Sequence, residues 1–181
     1  PKYQGLDIVY KNNPLSGLGE GVLHQAQNSN GSIILAGNIN NLSGNYSVIL
    51  AGEGHGLTGD RSAILVGVNN LLTGDRSLIG AGSGNYVSGD NSSIAGGKEN
   101  SVQGSDSFIA AGFDNKIFSN KSIIGAGDEN RCHSLAGGIL AGLNNTVSGQ
   151  RSVIGGGFQN EAVGDISAIL GGRDNQVQEH T

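Results

Sequence analysis

The stretch "SVIGGGFQNEAVGD", Ser152 to Asp165, sets three consecutive glycines after a short apolar run. Read alone, it could be a phosphate-cradling loop between a strand and a helix. The rest of the chain rules that out. "SVILAGEGHGLTGD" begins at Ser47, "SAILVGVNNLLTGD" at Ser62, "SLIGAGSGNYVSGD" at Ser77 and "SSIAGGKENSVQGS" at Ser92. Ten copies of fifteen residues begin at positions 32, 47, 62, 77, 92, 107, 122, 137, 152 and 167, with no insertion. A nucleotide loop occurs once per site and opens a helix. This segment recurs in every copy and no helical pattern follows it, so it is the unit of a repeat architecture.

Aligning the copies gives each position a physical role. Column one is Ser in nine copies and Gly137 in the other. Column three is Ile throughout, from Ile34 to Ile169, and column six is Gly throughout, from Gly37 to Gly172. Column nine is Asn except at His55. Column eleven is always apolar and includes Cys132. Column thirteen is Gly in seven copies and Ser119, Ser134 and Glu179 in the others. Columns one to five read as a strand with alternating faces, and columns nine to twelve as a shorter second strand. The glycines at six and thirteen mark two corners, where positive φ is expected. Two strands and two corners make one coil. Ten coils stacked in parallel would form a rod of roughly 48 Å. Two or three glycines per fifteen residues would break a helix.

Stacked coils put identical residues on top of one another. The Ile column predicts a continuous dry ridge. The Asn column predicts an amide ladder. The Ser column should do the same more weakly, or bond the adjacent turn, because buried polar groups must be paired. Columns two and four point away from column three and are apolar too, for example Val48 and Leu50, Ile123 and Leu140. On the outside of ten coils they would expose an apolar strip on the order of 1,000 Å², more than soluble monomers carry. A strand buried on both faces has a partner on each. Further copies of the chain, closed around a shared axis, are the simplest cover.

The Ser, apolar strand, Gly and return to Ser of residues 92–107 and 152–167 resemble the head repeats of trimeric autotransporter adhesins, with about one residue added per turn. The resemblance covers residues 32–181 and extends to repeats of phage and viral tail fibres. It implies an all-β, left-handed parallel β-roll, a homotrimer, and a non-enzymatic structural and attachment role on a bacterial cell surface or virion. The implied partner is a host-surface glycan or protein receptor. Here the Asn of column nine is stronger than the family's small residue, and neither a heptad stalk nor a barrel anchor is present.

Composition narrows the classes further. The chain has 181 residues, 33 glycines, two prolines, eight aromatic residues and a formal charge of −5. Its glycines lack the collagen period. Its scattered Lys and Arg form no basic cluster, so neither nucleic acid nor an anionic membrane is an expected partner. No apolar run is long enough to span a bilayer, so no membrane insertion is expected. The absence of an initiating Met predicts an excised piece. Residues 1–31 break the period and read as an N-terminal cap or degenerate first coil over the open strand edges. The C-terminus ends inside the last coil, which predicts truncation or continuation into another domain.

Chemistry-bearing residues are sparse. His24, His55, His133 and His180 lie far apart in the coil register, so no zinc site and no His-based catalysis are expected. Asp60, Asp75 and Asp90 stack in column fourteen, where calcium would fit. Each coil supplies only one acid, however, and Arg61 and Arg76 should neutralise them. Glu99, Asp114, Asp128, Glu129 and Asp174 lie in columns seven and eight, where acids of adjacent coils could meet. A fibre-borne glycan-degrading enzyme would need such carboxylates paired in a groove, but solubility is the plainer reason for them. Cys132 sits in an apolar column as an inert thiol. Phe118 and His133 occupy a solvent-facing column in the least regular coils, six to eight. Drift in a tolerant repeat accounts for them more simply than a binding patch. No cofactor and no catalytic residue are assigned. A monomeric ice- or surface-binding solenoid is disfavoured because no regular threonine rows exist.

Overall fold

The computed structural model describes residues 8–9, 25–26 and 29–178. Those residues form an all-β parallel solenoid of about ten coils, with no helix among them. Each coil contributes two two-residue strands, such as Val48–Ile49 and Gly56–Leu57. The strands stack into two eleven-stranded parallel sheets. The first sheet is built from columns two and three, and the second from columns ten and eleven. Register is strict: Ile34 lies on Ile49 and Leu42 on Leu57, fifteen residues on. Ile8–Val9 and Gln25–Ala26 extend the two sheets by one strand each, beneath Ile33–Ile34 and Asn41–Leu42. The rest of residues 1–28, His24 included, lies outside the described residues, as do His180 and Glu179.

The coil differs from the expected two-sided one. A third hydrogen-bonded row runs through column seven as single-residue bridges, from Asn38–Glu53 to Phe158–Arg173. Its side chains vary freely because they face outward, so the column carries no compositional signal. The corners also differ. Column six holds glycines with φ from 99° to 127°, as expected. The column-thirteen glycines do not have positive φ. A Cβ on Gly59 would stand 2.1 Å from the carbonyl oxygen of Gly74 in the next coil, so close stacking of backbone on backbone excludes the side chain there.

The left-handed backbone sits instead in columns eight and fifteen, mostly on residues with side chains. Glu99, Asp114 and Glu129 have φ of 58°, 50° and 55°, and Arg61 and Arg76 have 54° and 53°. The consequence is a reversed peptide. Elsewhere most backbone N–H groups that bond a backbone carbonyl donate forward to the following coil, as Ile33 does to Ser47 and Asn38 to Gly52. At columns eight and fifteen the N–H donates backward, as Asn69 does to Glu53 and Arg61 to Asn45. The exposed β-branched Ile39 and Ile166 also take this conformation, at a cost of roughly 1–2 kcal/mol each.

The interior is two ridges and two ladders. Column three is buried from Ile34 to Ile169, and column eleven from Leu42 to Ala162. From Ser32 to Ser152, each Ser of column one donates its hydroxyl to the column-thirteen carbonyl of its own coil and accepts the N–H of the column-one residue of the next coil. Ser47 Oγ thus lies 2.8 Å from Gly59 O, and Ser62 N lies 3.1 Å from Ser47 Oγ. The Ser column therefore bonds the turn and does not pair hydroxyl to hydroxyl. The Asn column is a true amide ladder. From Asn100 to Asn175, each Nδ2 donates to the Oδ1 of the Asn one coil earlier at 3.0–3.2 Å.

One irregular coil shows local compensation. Ser134 replaces a column-thirteen Gly, and three residues on Gly137 replaces the column-one Ser. A Cβ on Gly137 would lie 2.1 Å from Ser134 Oγ and 2.7 Å from Cys132 Sγ. The two residues have exchanged side chains within one buried space. Gly137→Ser alone is therefore expected to destabilise, and Ser134→Gly combined with it to restore the regular turn. A double-mutant cycle in urea should give a coupling of about 1–3 kcal/mol; additive effects would refute the exchange.

Candidate functional site

The columns singled out for chemistry prove mostly structural. Asp60, Asp75 and Asp90 do stack, but each carboxylate accepts the backbone N–H one coil earlier: Asn45 N to Asp60 at 2.8 Å, Asp60 N to Asp75 at 2.9 Å, Asp75 N to Asp90 at 2.9 Å. The expected neutralisation by Arg61 and Arg76 does not occur among the described residues. Arg76 Nε instead donates to Asn91 Oδ1 at 2.7 Å. The left-handed backbone of column fifteen turns these arginines away from their aspartate neighbours. Among the described residues, no group of three or more His, Cys, Asp and Glu side chains is arranged to hold a metal ion.

Four of the five acids singled out in columns seven and eight, all but Glu129, are also engaged. Glu99 pairs with Lys98 and Asp174 with Arg173, both exposed. Asp128 accepts the N–H of Phe113 at 3.2 Å. Asp114 is the best held. Its Oδ1 lies 2.9 Å from Lys116 Nζ and its Oδ2 2.6 Å from the Arg131 guanidinium, which also donates to the Asp114 carbonyl. Burial works against its ionisation, but the two cations outweigh that and hold its pKa below the ordinary aspartate value. Held in this way, Asp114 fixes the positions of two cations and is not poised to donate a proton. Cys132 is buried, with its thiol 3.8 Å from Ser134 Oγ.

His55 is the one interruption of the Asn column. It is buried, and its Nδ1 accepts the N–H of Asn70 at 3.2 Å, as an Asn oxygen would. That fixes the proton on Nε2, which has no partner. Burial pushes the His55 pKa below the ordinary value, and the nearby backbone of Ala51, Gly67 and Asn70 opposes this only in part. Below about pH 6.5 the unfolded chain therefore binds a proton that the folded chain resists. Stability should fall as pH drops from there through the folded pKa. His55→Asn is expected to stabilise by about 1–2 kcal/mol and to flatten that segment of the stability–pH curve, as measured by urea unfolding between neutral and mildly acidic pH.

The outer faces are where function can reside. The apolar residues of columns two and four face outward and stay partly exposed: Leu35, Ile123 and Leu140 are 43%, 41% and 56% exposed. The opposite sheet is mostly polar outside, with Leu71, Tyr86 and Val163 as scattered apolar residues, and at coils six and seven it carries an aromatic pair. There the rings of Phe118 and His133 stack with centroids 4.5 Å apart and an interplanar angle of 6°. Lys116 and Arg131 open the two paired strands, Lys116–Ile117 and Arg131–Cys132, that these rings directly follow. The fifteen-residue period alone placed Phe118 and His133 next to each other. The pairing of Arg131 with Asp114, seventeen residues back, was not readable from it. No family model matches the chain, and no curated protein matches it in sequence. No helix among the described residues is long and apolar enough to cross a membrane.

Proposed function

We propose that this chain is a non-enzymatic attachment module, a left-handed β-roll assembled as a homotrimer. Its place is the head of a bacterial surface adhesin or a virion fibre, as its likeness to adhesin head repeats implies. One observation carries the reading. The first sheet is dry and fully packed inside along column three, yet its outer face presents a second apolar strip along columns two and four. A strip this long on one side of a rigid rod favours association with copies of itself around an axis. The fold supplies stiffness, and three copies supply multivalency, so weak contacts with a host-surface glycan or protein receptor add up to avidity.

Sedimentation equilibrium tests the assembly. The expected particle has three times the chain mass, and Leu65→Lys with Leu140→Lys should dissociate it. A stable, well-behaved single chain in dilute buffer would overturn the reading.

A further inference from the structure

We propose that the outer face of the second sheet at coils six and seven is a binding site for an anionic sugar, one carrying a carboxylate or a sulfate. This deepens the attachment reading. Strands Lys116–Ile117 and Arg131–Cys132 pair in register, with Ile117 and Cys132 pointing inward. Lys116 and Phe118 flank Ile117, and Arg131 and His133 flank Cys132, so the four project from the same side as a two-by-two array. The flanking coils carry Ser101 and Gln103, and Thr146 and Ser148, at these columns. The array is thus bordered by small and polar residues on both sides along the rod.

Three features of the array fit one ligand class. Phe118 is 37% exposed; the stack on His133 covers one ring face and fixes the ring, so its edge and remaining face offer a rigid apolar surface at little entropic cost. Beside it are two cations and one acid. Lys116 and Arg131 would repel each other, but Asp114 lies between them and holds both in place. Their side chains remain 35% and 26% exposed, so the ammonium and guanidinium can still be reached from solvent. The net charge of this group is +1, in a chain whose formal charge is −5. A single fixed positive charge next to an apolar plate matches a sugar ring bearing one anionic substituent. The ring lies against the aromatic surface, and the carboxylate or sulfate accepts from Arg131 and Lys116. A neutral glycan would leave the cations without a new partner. A nucleic acid would need a longer basic track than two residues. The face is opposite the apolar strip, so a trimer that buries the strip would display three copies of the array.

The test measures binding of sialyllactose, a heparin-derived tetrasaccharide and lactose to the full chain by titration calorimetry. At least one anionic probe should bind, and lactose should not. Phe118→Ser with His133→Ser, and separately Arg131→Thr, install residue types that other coils carry at these columns, so the solenoid should persist, as circular dichroism would verify. Each variant should weaken binding by about tenfold or more. Binding of sialyllactose assigns a carboxylate, heparin-tetrasaccharide binding that is lost on desulfation assigns a sulfate, and either supports the site. No binding of either anionic probe, equal binding of lactose, or binding unaffected by both variants would overturn it. Particle mass, measured on the same samples, reports on the trimer separately.

Discussion

Gly112→Ala is expected to destabilise the solenoid by on the order of 4 kcal/mol and to split its unfolding into two transitions. Two independent costs meet at this residue. Its φ of 113° is closed to an L side chain, and the new Cβ would lie 2.0 Å from the carbonyl oxygen of Gly127. That oxygen accepts from the N–H of Phe113 and from Asn115 Nδ2, so displacing it breaks the third row and the amide ladder together. A repeat contacts only its neighbours, so a broken junction uncouples the coils on either side. Gly96→Ala is the control. Nothing lies within 4 Å of a Cβ there, and its φ is not positive. That change should be neutral or stabilise by about 0.4–1 kcal/mol. Denaturant unfolding of both variants decides it; equal effects would mean that column six is invariant for some other reason.

Asn130→Leu should cost about 4 kcal/mol despite adding apolar volume to a dry interior. Asn130 Nδ2 donates to Asn115 Oδ1 at 3.0 Å and to Gly142 O at 2.9 Å, and its Oδ1 accepts from the backbone N–H and Nδ2 of Asn145, both at 3.0 Å. Leucine leaves these groups unpaired where water cannot reach them. Asn130→His should lose about half as much, since an imidazole Nδ1 can still accept the next N–H, as His55 does. If Leu were tolerated better than His, the column would be held by volume and not by hydrogen bonds.

The inward columns were legible because the chain repeats itself. Ten aligned copies show which positions cannot vary, and invariance at columns three and nine has few physical causes in a stacked coil. Outward positions gave no such signal. The third row of bridges passes through Asn38, Glu53, Val68 and Ser83, whose side chains have nothing in common, because only their backbones are used. The left-handed residues of columns eight and fifteen were hidden for the same reason. Composition expects glycine at positive φ, and here Arg61, Glu99 and Lys121 adopt it so that their N–H groups can reach back one coil. The candidate site was half visible. The period placed Phe118 beside His133, but the parallel stack and the hold of Asp114 on two cations depend on how side chains turn outside the coil.

The period, the parallel stacking, the inward Ile and Asn columns and the apolar residues on both sides of the first strand could all be read from the chain alone. These follow from alternation and repetition, which are properties of the chain. Which of those two sides is dry, why column thirteen needs glycine, and why the aspartates of column fourteen bond backbone and not arginine emerge only from the packed coils. Each of these depends on how closely one coil approaches the next, a distance that no pattern of residue types contains.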